Sequence, residues 1–286
     1  MIRVGIKYDC FPCLFKQFLE SARMANDDEE FVKEILRKYS QMLPDLMESD
    51  FGSAVISAEV QAYITELSGI RDPYRKFKQE KLEIAKKLLP LFKAEIKKAD
   101  DPLLITLLIS ALGNSKDKNF DFKQTDSIDL AQILNEKFNY NDYQNFKADL
   151  KNAAKILFIA DNTGEALFDK LLLAQLKKYD VEIKYAVREC PILNDITMEE
   201  AQKLTIDEYA EIINSGSRTP GMPMEAATAE FEAEYQNADL IISKGQGNLE
   251  TLFEKEKGIY FLLKAKCALI ADSLGVKKND FIFIRH

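Results

Sequence analysis

Apolar and polar positions change their period near residue 150. Before it, "FKQFLESARM", "EFVKEILRKYSQMLPDLM", "AEVQAYITELSGI", "KFKQEKLEIAKKLLPLFKAEIKKA" and "PLLITLLISALGN" carry apolar residues at helical spacing. Asp72-Pro73, Asp101-Pro102 and Gly113-Asn114 punctuate them. Only "IRVGI" at the start has strand character in this half. After it, "KILFIAD", "VEIKYAVRE", "ADLIISKG", "IYFLLKA", "CALIAD" and "FIFIRH" read as strands. In the second of these, Val181, Ile183, Tyr185 and Val187 alternate with polar or small residues, the period of a pleated strand. Helical patterns fall between the strands at 164–178, 198–213, 225–236 and 249–256. Strands alternating with helices predict a parallel sheet covered on both faces. The chain therefore divides into a mainly helical region, 1–150, and an α/β region, 151–286. There is no fixed-period repeat and no low-complexity segment.

Open α/β sheets bind ligands at the carboxyl ends of their strands. After "ILFIA" comes Asp161-Asn162-Thr163-Gly164-Glu165, followed by helical spacing at Leu167, Phe168, Leu171, Leu172 and Leu176. After "VEIKYAVREC" comes Pro191-Ile192-Leu193-Asn194-Asp195-Ile196-Thr197, and after "DLIIS" comes Lys244-Gly245-Gln246-Gly247-Asn248. Each has a purely structural reading. Asn162 caps a helix, with Glu165 completing a capping box; Thr197 and Glu200 form another. Asn248 caps a helix at 249–256, and Lys244 is a solvated turn lysine. The first reading leaves Asp161 unexplained, a charge at the mouth of a buried strand. Acid plus amide on two strand ends and lysine in a glycine loop on a third point instead to one ligand site. Carboxylate and amide oxygens suit Mg²⁺ or Mn²⁺. A glycine loop opening a helix offers N–H groups and a positive dipole end to an anion.

Composition narrows the chemistry. Lys plus Arg is 39 against 47 Asp plus Glu, a net charge of -8, which argues against general nucleic-acid binding. No apolar run approaches a membrane span, and the N-terminus lacks a signal-peptide pattern, so a cytoplasmic protein is expected. The single histidine, His286, leaves no triad, Cys–His dyad or HExxH helix. Cys10 and Cys13 form a CxxC with no second pair beside it; Cys190 and Cys267 lie in strand-like contexts. Ordinary thiols or a redox-sensitive pair fit these better than zinc. The "GQGNLE" loop lacks the third glycine of a dinucleotide fingerprint, and no GxxxxGK[ST] is present.

The set "DNTGEALFDKLLL", "CPILNDITMEEA", "SKGQGNLETL" and "YFLLKAKCALIADSLGV" resembles the damage-control phosphatases, metal-dependent enzymes long filed as a domain of unknown function. "DCFPCLFKQ", "DPYRKFKQ" and "DPLLITLLISALGN" resemble the CxxC-containing subgroup common in archaea and bacteria, so the resemblance covers nearly the whole chain. It implies a helical N-terminal region packed on a Rossmann-like, three-layer α/β/α domain with a mostly parallel sheet. It implies metal ligands at Asp161, Asn162 and Asp195, with Asp161 and Asp195 catalytic. It places phosphate on Lys244, Gly245, Gln246, Gly247 and Asn248, with Asn114, Glu165 and Asn194 as further supporting or substrate residues. Where relatives often have Pro-Gly-Thr, this chain has Pro220-Gly221-Met222, which removes a hydroxyl.

The expected reaction is hydrolysis of small phosphomonoesters, sugar phosphates or damaged phosphometabolites. A divalent ion, Mg²⁺ or Mn²⁺ with Co²⁺ or Ni²⁺ as alternatives, would bridge to the phosphate. The attacking group is either a water on the metal or Asp161 itself. Two other classes fit the same elements. One is an S-adenosylmethionine-dependent methyltransferase, although its first loop would be richer in glycine. The other is a non-catalytic phosphometabolite-binding protein. The expected partner is a small phosphorylated metabolite, with no nucleic acid and no membrane; oligomeric state is left open.

Overall fold

The computed structural model describes residues 6–48, 52–113, 138–255 and 257–286. Helices α1 (Cys10–Ala25), α2 (Glu29–Met47) and α3 (Ser53–Ser68) pack around a core of their own. Phe18, Ile35, Tyr39, Val60 and Ile64 are completely buried in it. The local signals are conventional. Asp28 caps α2 by accepting the Glu30 and Phe31 N–H groups, and Gly69 ends α3 with φ 69°. Helix α4 (Arg75–Lys98) leads to α5 (Pro102–Leu112), where Pro102 opens the helix and Asp101 accepts the Leu104 N–H.

Seven described strands form one sheet: β1 (Phe138–Asn141), β2 (Lys155–Ile159), β3 (Glu182–Val187), β4 (Glu211–Asn214), β5 (Leu240–Lys244), β6 (Ile259–Lys264) and β7 (Phe281–Arg285). Their order is β1-β7-β6-β5-β2-β3-β4, and every pairing is parallel except β6 with β7. The connecting helices are α6 (Tyr143–Leu150), α7 (Ala166–Leu176), α8 (Met198–Lys203), α9 (Ala229–Asn237), α10 (Gln246–Leu252) and α11 (Ala268–Leu274). Strand β2 shows why three layers form. Ile156 and Phe158 enter one core with Phe92, Leu107, Phe168 and Tyr185; Leu157 and Ile159 enter the other with Phe231, Leu249, Phe261 and Ile270. A strand apolar on both faces must be covered on both. The expected mixed α/β architecture with a mostly parallel sheet is therefore what the chain adopts.

Three elements differ from the sequence reading. "CALIAD" is not a strand: Cys267 is the N-cap and residues 268–274 are α11, closed by Gly275 at φ 67°. A short apolar run has no period that separates buried strand from buried helix. The helical pattern 198–213 breaks into α8 and the edge strand β4, whose Glu211 is exposed. Strand β1 arises from the polar "FNYN" and joins the sheet before residue 150. Of the strand-like "IRVGI", only Ile6 is among the described residues. Among those residues no helix is long and apolar enough to cross a membrane.

The core that lies under α4, α5 and α7 is continuous from Ala85 to Phe283, so the second half of the helical region shares its core with the sheet. Leu107, completely buried there, is a direct probe. Leu107→Ala is expected to cost about 2–5 kcal/mol by cavity formation, in one cooperative transition seen alike by far- and near-UV circular dichroism. Separate melting of a helical unit would contradict the shared core.

Candidate metal and phosphate site

The chain leaves β2 toward β3 and β4, then crosses back to lay β5 on the other side of β2. Loops at the carboxyl ends of β2 and β5 therefore diverge, which opens a crevice at this switch point. Ile159 pairs with Ser243, and two residues on Asp161 meets Gly245. Gly245 has φ 81°, and a Cβ there would lie 2.0 Å from Asp161 Oδ2. No side chain fits between the two strand ends.

Backbone hydrogen bonds stitch the Asp161 loop to the Asp195 loop. Ile196 N–H donates to Asp161 O at 2.8 Å, Thr163 N–H donates to Asn194 O at 2.8 Å, and Asn162 and Asp195 form an antiparallel bridge. The consecutive Asp161 and Asn162 are thereby neighbours of Asp195, distant from them in sequence, and each of the three is at most 7% exposed. The predicted capping box is present: Asn162 N–H donates to Glu165 Oε1 at 2.9 Å, and the Asn162 side chain accepts the N–H of Glu165. Asn162 Nδ2 donates to Asp161 Oδ2 at 2.8 Å, so Glu165 orients the amide that braces the acid. The Thr197–Glu200 capping box is also present.

Lys244 lies where its neighbours predict, but its ammonium turns away from the crevice. It donates to Asp169 Oδ1 at 2.7 Å, Glu165 Oε2 at 3.1 Å and Ser110 O at 3.1 Å, and it is completely buried. Three donors meet three acceptors. It is no solvated turn lysine. Asp169 also accepts from Ser110 Oγ at 2.6 Å and from Tyr185 OH at 3.0 Å. The two carboxylates hold the lysine pKa up against the burial that would lower it.

Asn248 does not cap a helix at 249, because α10 begins at Gln246. Its Nδ2 donates to Ala160 O at 3.0 Å and Lys244 O at 2.8 Å, which ties α10 to the ends of β2 and β5. Gly245 N–H is spent on Leu262 O, whereas Gln246, Gly247 and Asn248 present the first-turn N–H groups of α10. Asn194 lines a cavity of about 590 Å³ with Asn162 and Gly164, faced by Lys81 and Phe77 of α4. Asn114 lies outside the described residues. Met222 is buried in the second core, and its N–H donates to Thr251 Oγ1 at 2.8 Å.

Sequence reasoning missed Arg188. Its Nε donates to Asp195 Oδ2 at 2.7 Å and its Nη2 to Asn248 Oδ1 at 2.8 Å. Thus one guanidinium joins the Asp195 loop to α10. A charge directly after the apolar "YAV" at a strand end is the signal that the sequence offers.

Burial pushes the Asp195 carboxyl up to about 7, with Arg188 pulling it down and the Asp161 charge pushing it further up. Glu165 is likewise raised to about 7 by burial, against the pull of Lys244 and with the push of Asp161 and Asp169. Among the described residues no three His, Cys, Asp or Glu side chains are grouped to hold a metal. The four cysteines are free thiols, with Cys13 on the cavity wall. Two buried carboxylates that repel one another, plus an amide, nevertheless fit a hard divalent cation, which takes oxygen donors and offsets their mutual repulsion.

The electrostatics can be probed at both acids. Lys244→Met leaves Glu165 and Asp169 buried without their counter-charge and is expected to cost about 3–5 kcal/mol in denaturant unfolding; a neutral change would deny the lysine its role. Because burial raises the Asp195 carboxyl to about 7, a cation held there would have to displace a proton below this value but not above it. Any gain in melting temperature given by Mn²⁺ at this site would therefore grow as pH rises through 7, and a pH-independent gain would place the cation elsewhere.

Residues 6–282 match the family model described as the damage-control phosphatase ARMT1-like domain. The chain is 34% identical to an uncharacterized protein of Methanocaldococcus jannaschii, over 99% of this chain and 96% of that one. It is 30% identical to a damage-control phosphatase of Pyrococcus horikoshii, over 98% of each chain. A crystal structure of a DUF89 family protein from Pyrococcus horikoshii superposes with a TM-score of 0.87 at 27% identity, over 98% of this chain and 99% of that one. With nearly its whole length matched by the family model and by these relatives, the chain belongs to the damage-control phosphatase ARMT1-like family.

Proposed function

We propose that the protein is a metal-dependent phosphatase of small phosphomonoesters, among them sugar phosphates and damaged phosphometabolites. The observation that carries the reading is the stitching of Asp161, Asn162 and Asp195 beside the N-terminus of α10 at the sheet's switch point. Two carboxylates and an amide on the β2 and β3 loops stand next to the first-turn N–H groups of α10, the two halves that a phosphate bound to a cation needs. The names of its relatives support the same reaction class.

Asp161, Asn162 and Asp195 would hold Mg²⁺ or Mn²⁺. Such an ion supplies charge stabilisation to the phosphoryl oxygens. The protein's own part is positional. Glu165 fixes Asn162 and Asn162 fixes Asp161, while Gly245 lets α10 approach that acid. The N–H groups of Gln246, Gly247 and Asn248 face phosphate oxygens. Lys244 acts through Glu165 and Asp169 as a buried counter-charge and does not touch the substrate. The cavity beside Asn194 takes the organic part of the ester; its volume suits a metabolite rather than a macromolecule. The enzyme works in the cytoplasm, without nucleic acid or membrane.

Phosphate release from a panel of phosphomonoesters, with Mg²⁺, Mn²⁺, Co²⁺, Ni²⁺ or chelator, tests the reading. Metal-dependent release is expected, reduced at least about a hundredfold in Asp161→Ala while the fold persists. Release that survives chelator and the mutation would refute it; tight phosphate-ester binding without release would make the protein a binder.

A further inference from the structure

We infer that Arg188 grips a phosphoryl oxygen of the substrate through Nη1, the role that sequence reasoning assigned to Lys244. The inference rests on the phosphatase reading above and deepens it.

The side chain of Arg188 is 1% exposed. Nε and Nη2 are spent on Asp195 and Asn248, but Nη1 is buried with no partner. Buried polar atoms are almost always hydrogen-bonded, and an unmade bond on a charged group is among the costlier exceptions. Of the three such atoms among the described residues, the other two are neutral hydroxyls, on Tyr235 and Ser243. The orphan is the one that carries charge.

Its placement says what it awaits. Its two sister nitrogens touch an acid of the proposed metal site and a residue in the first turn of α10. The third nitrogen belongs to the same planar group, so it lies within one guanidinium's width of both. Lys244 has no donor left for a ligand, since all three of its hydrogens have acceptors inside the protein. A guanidinium is also well shaped for this contact. Its rigid fork holds protein acceptors on one edge while another nitrogen meets a phosphate oxygen, which a single-point ammonium does not do.

The test titrates inorganic phosphate into wild type, Arg188→Lys and Arg188→Gln, each with Mn²⁺ and with chelator, following melting temperature and heat of binding. Steady-state kinetics on one turned-over ester supply KM and the inhibition constant for phosphate. Expected are a phosphate Kd roughly ten- to a hundredfold weaker in Arg188→Lys, the span of one lost charged hydrogen bond, and no phosphate response in Arg188→Gln. The Mn²⁺ response should persist in both. If Arg188→Gln does not fold, Arg188→Lys alone decides. Phosphate binding equal to wild type overturns the inference. So does loss of the Mn²⁺ response together with the phosphate response, since Arg188 would then only hold Asp195 in place. If wild type neither binds phosphate nor releases it from any ester, the phosphatase reading itself fails; if wild type does both and the variants match it, only the role of Arg188 fails.

Discussion

A fully buried ammonium between two fully buried carboxylates fixes the centre of this molecule. Lys244 on β5 meets Glu165 in the β2 loop and Asp169 on α7, with Ser110 of α5 closing the group. None of these charges tolerates burial alone, so the strand, the loop and both helices are held to one arrangement. Through Glu165 the constraint reaches Asn162, and through Asn162 it reaches Asp161. The candidate site is thus the outer end of a chain of hydrogen bonds whose inner end lies in the core.

Two of the buried cations at the sheet's carboxyl edge do different work. Lys244 is saturated and points toward α5 and α7; Arg188 is bonded on two nitrogens and orphaned on the third. A fully satisfied buried charge is explained by the fold alone, whereas an unused donor on a buried charge calls for a partner that the fold does not supply. The contrast separates two residues that look alike as basic residues at the ends of apolar strands.

Much of this was legible in sequence because it depended on short-range rules. Asp161, Asn162 and Asp195 stood at strand ends, and both capping boxes showed their spacing. The strands β2, β3, β5, β6 and β7 carried strong apolar runs. What escaped was decided by tertiary partners. "FNYN" becomes a strand because β7 offers it an edge, and "CALIAD" becomes a helix because Cys267 and Gly275 bound it. The direction of the Lys244 side chain depends on Asp169 and Ser110, residues 75 and 134 positions away, and nothing near "SKGQG" encodes it.

The helical region is also a wall of the site rather than an appendage. At the end of α5, a Cβ on Gly113 would lie 2.4 Å from Glu165 Cβ; in the loop itself, a Cβ on Gly164 would lie 2.9 Å from Lys81 Cβ on α4. Backbone and side chain are therefore in contact on both sides of the Asp161 loop. Such closeness leaves that loop no room to move independently of α4 and α5, and close-packed interiors transmit displacement rather than absorb it. With Lys81 and Phe77 facing Asn162 and Asn194 across the cavity, the organic part of a substrate would meet helical side chains while its phosphate meets the sheet. On the proposed reading, specificity and chemistry are carried by different halves of the chain, joined where two glycines let them touch.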